Sequence, residues 1–274
     1  MDRTVGQDEA IFRLQRVGYT YPGDIAALTD ISLVVGPGAH TAILGANGSG
    51  KSTLLKLMDG LYFRQQGEAY AFGRPLTEQT LEDEAFAHEL HRRVGLVFQD
   101  PDVQLFSATV WDEIAFGPLQ LGLPAAEVRE RVEGMLQWLG LADVKDRPPY
   151  RLSGGEKRKV ALASVLVVQP EVLLLDEPTA FLDPRSRCQF LDFLLEWGNG
   201  QGTLVLCTHD LEIAAEVARQ VYVLDHGHVL VEGHPDQILG DEALLEQANL
   251  IHVHGHRHGE TVHSHRHEHR QHGH

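Results

Sequence analysis

Cysteine is nearly absent. Cys188 and Cys207 are the only two in 274 residues, with no spacing suited to a thiolate metal site or a disulfide framework, and they read as free thiols in a reducing compartment. Long apolar runs are absent too: the longest largely apolar stretch, 160–168, is far too short to cross a bilayer. The opening residues, MDRTVGQDEA, lack the basic segment and apolar core of a leader peptide, so a cytoplasmic chain is expected. Positive charge is scarce, with 23 Lys and Arg against 39 Asp and Glu and a formal net charge of −16. An acidic surface disfavours nonspecific contact with nucleic acid or anionic lipid. Neither a nucleic-acid partner nor direct lipid insertion is therefore expected, and any membrane attachment should run through a protein. No repeat of 20 to 50 residues is visible. With 43% hydrophobic and 23% charged residues, the composition is that of a globular chain with one large domain.

Strand patterns appear at 11–21, ending in the turn Pro22-Gly23, and at 33–35 and 41–44 around Gly36-Pro37-Gly38. A glycine-rich loop and a helix over 52–58 follow, then a short buried-type strand at 94–98. From 125 to 139, Val128, Val132, Met135, Leu136 and Leu139 recur at helical spacing, with Pro124 as the first residue. Further strands are expected at 172–175, 203–206 and 221–224. This alternation predicts an α/β fold with a mainly parallel sheet, interrupted by a helical insertion over about 100–168.

The strongest motif is Gly45-Ala46-Asn47-Gly48-Ser49-Gly50-Lys51-Ser52, which fits the phosphate-binding pattern G-x-x-x-x-G-K-[ST] between a strand and a helix. Glycines let successive N–H groups turn inward around phosphate oxygens, and the helix N-terminus adds partial positive charge. Asn47, Gly48, Ser49, Gly50, Lys51, Ser52 and Thr53 are expected to wrap the nucleotide. Lys51 reaches the β- and γ-phosphates, and the Ser52 hydroxyl is a ligand for Mg²⁺. About 125 residues later an apolar strand ends in Asp176-Glu177. Asp176 is placed to hold Mg²⁺, and Glu177 to polarise the attacking water.

Leu152-Ser153-Gly154-Gly155-Glu156 opens a predicted helix shortly before that strand. It resembles the LSGGQ-type motif of the ABC ATPases, and the resemblance spans nearly all of residues 10–240. It implies a P-loop NTPase core with an antiparallel β part and a helical subdomain. It also implies that Tyr21 stacks on adenine, with Tyr19 as the alternative. Gln99 is implied to sense the γ-phosphate beside Mg²⁺, Asp183 to sit in the loop crossing a dimer interface, and His209 to contact the γ-phosphate. Phe181 departs from the small or polar residue usual beside Asp183. Ser153, Gly154 and Gly155 are implied to complete the site of a second protomer, giving a head-to-tail homodimer with two ATP molecules at its interface.

The segment 96–106, with 107–110 and 115–118, is similar to the energy-coupling-factor branch of importers. That branch implies two membrane partners, a transmembrane coupling protein and a substrate-capturing protein. Leu105 and Phe106 would line the groove for the first. After Leu250 the composition changes: the last 23 residues hold ten histidines and almost nothing that builds a core. His252, His254, His256 and His258 alternate, as do His263, His265, His267 and His269. Alternate residues of an extended chain fall on one side, roughly 6.5–7 Å apart, and imidazole suits Ni²⁺ or Co²⁺ better than Mg²⁺. The expected organisation is an ATPase domain over 1–250 and a disordered, metal-binding tail over 251–274. The expected function is ATP-driven import of cobalt or nickel, at the cytoplasmic face of the inner membrane. The rivals are the ATPase of another ABC importer or exporter, or a metal-buffering protein whose ATP use is secondary.

Overall fold

The chain opens with the hairpin β1 (Phe12–Tyr21) and β2 (Ile25–Val35). Its turn places Gly23 and Asp24 at φ of 89° and 59°, a conformation glycine and aspartate tolerate. The computed structural model describes residues 10–180, 182–199, 202–258 and 261–268. After the hairpin come β3 (His40–Leu44), α1 (Lys51–Met58), β4 (Gln66–Ala71) and β5 (Arg74–Pro75). Two short helices, α2 (Glu78–Leu81) and α3 (Glu84–Arg93), lead to β6 (Val94–Val97). Residues 101–166 then hold α4 (Pro101–Gln104), α5 (Val110–Gln120), α6 (Ala125–Trp138) and α7 (Gly154–Leu166), with no strand between them. The alternation resumes with β7 (Val172–Asp176), α8 (Pro184–Asn199), β8 (Thr203–Thr208), α9 (Leu211–Val217), β9 (Gln220–Asp225) and β10 (His228–Gly233). Helices α10 (Pro235–Leu239) and α11 (Glu242–Gln247) precede the strands β11 (Ile251–His258) and β12 (Thr261–Glu268).

The central sheet has the order β10-β9-β3-β8-β7-β6. Its pairs are parallel except at β10, which closes one edge antiparallel to β9. A second, antiparallel sheet has the order β2-β1-β4-β5. Alternation along β7 shows how the layers bind. Val172 and Leu174 enter the core shared with α1 and the antiparallel sheet, whereas Leu173 and Leu175 enter a second core against α7, α8 and α9. A third core joins α5, α6 and α7 through residues such as Ile114, Val132 and Val160. With both faces covered, β7 reads as an unbroken apolar run until its carboxylates. Those carboxylates end the strand at the carboxyl edge of the parallel sheet, where ligands of such folds bind.

Several elements depart from the sequence-based expectation. The strand expected at 33–35 is only the end of β2, whose first half carries Thr29 and Asp30 and so breaks the apolar alternation. The strands β4 (QGEAYA), between β1 and β5, and β10 (HVLVEG), at the edge of the central sheet, have too few alternating apolar residues to announce themselves. Pro124 is the N-cap of α6, with an extended ψ of 141°, and the helix begins at Ala125. The histidine-rich tail over 251–274 is expected from the sequence to be disordered. The described backbone of β11 and β12 pairs only with itself and adds to neither larger sheet.

Leu174 is fully buried on the face of β7 turned toward α1. Leu174→Ala is expected to lower stability by about 3 kcal/mol, from lost transfer energy plus the cavity left behind. A urea unfolding midpoint shifted by less than about 1 kcal/mol equivalent would contradict this packing role.

Candidate functional site

The glycine-rich loop joins the end of β3 to the start of α1. Gly50 takes φ +107° as the N-cap of α1, and Gly48 takes +84°, so both need glycine. Gly45 needs it for a different reason: an added Cβ would lie 2.4 Å from Ser49 Oγ and 2.5 Å from the Leu224 carbonyl. The Ser49 hydroxyl is thus buried inside the loop rather than on its open side, and has no partner. Lys51 folds back over the loop, donating from Nζ to the carbonyls of Gly45 (2.7 Å) and Ala46 (3.1 Å).

Asp176 and Glu177 are 5% and 4% exposed. Burial pushes the Asp176 carboxyl above the usual carboxylate range; a hydrogen bond from Ser52 opposes this, while the Glu177 charge adds to it. Glu177 sits at φ +47°, an unusual conformation for its residue type, and four groups fix it there. Its N–H donates to the Cys207 carbonyl (2.9 Å), and its carbonyl accepts from Arg158 (3.1 Å). Its carboxylate accepts from Thr208 Oγ1 (3.0 Å) and meets His209 Nδ1 (2.8 Å). Lys51 Nζ is 3.6 Å away. The hydrogen bond with Glu177 raises the His209 pKa above the ordinary imidazole value, against the opposing effect of burial.

Tyr21 lies across from these groups, its hydroxyl bonded to Thr53 Oγ1 (2.9 Å). Tyr19 instead stacks on Tyr62 (centroids 5.1 Å, 7° between planes), and burial there raises its phenol pKa. One open cavity of about 350 Å³ is lined by Tyr21, by Asn47, Gly48, Gly50, Lys51, Ser52 and Thr53, and by Gln99, Asp176 and Glu177. Ser49 does not reach its wall. His209 touches it only through Glu177. Ser153, Gly154 and Gly155 do not line it; Gly154 instead lines a second cavity with Gln99 and Arg158. The hydroxyl and N–H of Ser153 both go to Glu156 Oε2 (2.7 and 2.8 Å) in a capping box at the start of α7. Asp183 caps its own turn, accepting from the N–H and hydroxyl of Ser186. Phe181 lies outside the described residues. So does His269, as do the side chains of the seven other tail histidines named above.

Three participants escape a reading of motifs. Ile25, 63% exposed beside Tyr21 on the cavity wall, carries only the signal of an apolar residue after a turn. Thr208 and Arg158 grip Glu177 through contacts that no spacing announces. Leu105 and Phe106 part company: Leu105 packs against the helical core, while Phe106 is 68% exposed.

The donor set suits Mg²⁺. Asp176 Oδ1 is buried without a partner, and the Ser52 hydroxyl and the Gln99 amide share its cavity. These hard oxygen donors are the kind that Mg²⁺ takes, its shell completed by water and phosphate. Among the described residues no group of three or more His, Cys, Asp or Glu could hold an ion by itself.

Residues 28–180 match the family model described as ABC transporter. The chain is 51% identical over 243 residues to the nickel import ATP-binding protein NikO of Rhodobacter capsulatus, covering 88% of this chain and 95% of that one. It is 46% identical over 240 residues to the cobalt import ATP-binding protein CbiO of the same organism, covering 88% and 84%. Among solved structures, cbiO1 from Clostridium perfringens, part of the ABC transporter complex cbiONQ, superposes with a TM-score of 0.71 at 35% identity, covering 88% of this chain and 95% of that one.

The raised His209 pKa has a consequence for stability without nucleotide. A raised folded-state pKa stabilises fully below the unfolded value of about 6.5 and ceases to do so as pH rises through the folded value. The melting temperature of nucleotide-free protein should therefore exceed that of His209→Gln most at about pH 6, with the gap closing at alkaline pH. A gap that is constant or widens with pH would remove the ion pair with Glu177 from this account.

Proposed function

Because the chain belongs to the ABC transporter family, we propose that it is the ATP-hydrolysing subunit that powers uptake of cobalt or nickel through an energy-coupling-factor importer. The observation that carries this reading is the single cavity where Tyr21, the glycine-rich loop, Gln99, Asp176 and Glu177 converge. Adenine stacks on Tyr21 with Ile25 beside it. The loop N–H groups and Lys51 hold the phosphates, and Lys51 leaves its two carbonyl partners to do so. Ser52, Asp176 and Gln99 hold Mg²⁺, which neutralises charge on the phosphates. Glu177, oriented by Thr208 and His209, takes the proton of the attacking water, and His209 turns toward the γ-phosphate.

ATPases of this family work as dimers beside transmembrane components. A head-to-tail homodimer is favoured here because Ser153, Gly154 and Gly155 do not line the cavity that holds Lys51, and the two glycines leave the start of α7 open to a second copy. The contact with a transmembrane coupling protein falls on an apolar patch. Phe106 and Phe116 meet edge to face (4.9 Å), and Val103, three residues before Phe106, is 71% exposed. The buried Glu113 carboxylate accepts from the N–H groups of Phe106 and Ser107 (2.9 and 2.7 Å) and so holds this loop outward. Among the described residues no helix is long and apolar enough to cross a membrane, which suits peripheral attachment through that patch. The substrate-capturing protein is the second membrane partner of this reading.

The domain division at 250 and the metal-binding role of the tail belong to the same proposal. The strand register sets His252, His254 and His256 opposite His267, His265 and His263. Facing positions of antiparallel strands lie about 5 Å apart between Cα atoms, and imidazole is a ligand suited to Ni²⁺ or Co²⁺. The relatives named for nickel and cobalt import favour the same cargo class.

Glu177→Gln should lower hydrolysis by about a hundredfold or more. MgATP binding should persist, leaving an ATP-bound dimer visible by size exclusion with light scattering. Wild-type turnover in this variant would sink the assignment of Glu177. For the tail, calorimetry should show Ni²⁺ or Co²⁺ binding to the full chain that weakens as pH falls through about 6.5, because the imidazole must be neutral to donate its lone pair. Truncation after Leu250 should remove the binding but spare basal ATPase. Equal metal binding by both proteins would take the tail out of the reading.

A further inference from the structure

The helix α7 touches two different parts of the machinery within its first two turns. Its N-terminus presents Ser153, Gly154 and Gly155, where an added side chain at either glycine would meet nothing within 4 Å, so the surface is open to an incoming group. One turn further, Arg158 donates from Nη1 to the main-chain carbonyl of Glu177 (3.1 Å). That carbonyl belongs to a residue held at φ +47°, a conformation that persists only while its surroundings impose it. The guanidinium also feels the charge of Asp100, next to Gln99, and lines the cavity that Gln99 and Gly154 share. The helix is stiffly tied to the same segment. Lys157 pairs with Asp102 at 2.5 Å, and Gln104 donates to the Ala161 carbonyl (2.8 Å) and to Ser164 Oγ (3.1 Å). A shift at the N-terminus of α7 must therefore move Arg158.

In the head-to-tail dimer, Ser153 of one protomer serves the ATP held by its partner, whereas Glu177 activates the water that attacks the ATP held by its own. We propose that Arg158 is a positioning residue that couples the two sites. Engagement of α7 by the partner's nucleotide moves the guanidinium, and through the Glu177 carbonyl it aligns the carboxylate of the protomer's own site. Each site then hydrolyses efficiently only when the other is filled. Arg158 exchanges no proton and forms no bond with substrate. This coupling rests on the sandwich-dimer reading above.

The test measures ATPase rate against ATP concentration for the full chain, Arg158→Met and Arg158→Lys. It also measures ATP-induced dimerisation of each in the Glu177→Gln background. The wild type should show a Hill coefficient above one, bounded by its two sites. Arg158→Met keeps the side-chain length but loses the donor. Its Hill coefficient should fall toward one and its kcat by about tenfold, while ATP-induced dimerisation persists because Ser153 and the glycine-rich loop are untouched. Arg158→Lys restores one donor and should lie between, and it decides the matter if the Met variant does not fold. A folded variant that dimerises with ATP and keeps the wild-type Hill coefficient overturns the coupling, even if its melting temperature and kcat fall together, since a merely structural role would do that. A wild type that neither dimerises with ATP nor hydrolyses it cooperatively overturns the sandwich reading and the coupling with it.

Discussion

Two carboxylates buried side by side next to one ammonium set the terms for everything around them. Asp176 and Glu177 end β7 where the sheet meets solvent, yet each is almost wholly covered. Charges so placed are costly unless every lone pair finds a partner. Glu177 is answered by Thr208, His209 and Lys51, so two separate segments, the end of β8 and the start of α1, are committed to one side chain. Asp176 is answered only in part, and its open oxygen is what gives the site its appetite for a cation. Lys51 in turn spends its donors on two loop carbonyls. Apart from that oxygen the acidic pair and Lys51 satisfy one another, and in the proposed function a triphosphate would exchange these contacts for its own. A strained backbone at Glu177 survives because the surrounding network over-determines it.

The parts legible in the sequence are those where the chemistry needs a residue type at a fixed spacing. The glycines at 48 and 50 require positive φ, Lys51 must follow them at the helix start, and the acidic pair must cap a buried strand. Those constraints are local, and each element formed where the pattern placed it. Choices between near neighbours were not legible. Tyr19 and Tyr21 have the same side chain two positions apart, and only the stacking partner Tyr62 and the anchor Thr53 separate them. Leu105 and Phe106 are adjacent and apolar, and the buried Glu113 decides which of them faces outward. Arg158 and Thr208 meet Glu177 across long sequence distances, so no motif could record them. Ile25 gave no signal beyond its hydrophobicity.

The geometry also explains why motifs close in the chain belong to separate chemical events. Ser153 precedes the acidic pair by fewer than thirty residues, but α7 runs between them as a rigid rod and carries the serine away from the cavity of its own chain. Its hydroxyl waits in a capping box with Glu156, a carboxylate where the family motif most often has an uncharged glutamine. In the proposed sandwich dimer, a phosphate held by a second copy would have to win that hydroxyl from an anion. Closing such a dimer would therefore involve rearranging contacts as well as gaining them.

The strand that carries the glycine-rich loop sits in the middle of the sheet, and its two neighbours come from the far end of the chain: His40 lies beside Leu204, and Thr41 beside Gln220. On a ribosome, the loop emerges early but has nothing to lean on until almost the whole domain has been synthesised. Pairings this distant close slowly, and the apolar strand is exposed in the meantime. A nascent or truncated chain ending before β9 would display the complete nucleotide signature and still lack the scaffold that shapes it. The scaffold for nucleotide thus takes shape only once β8 and β9 have joined β3.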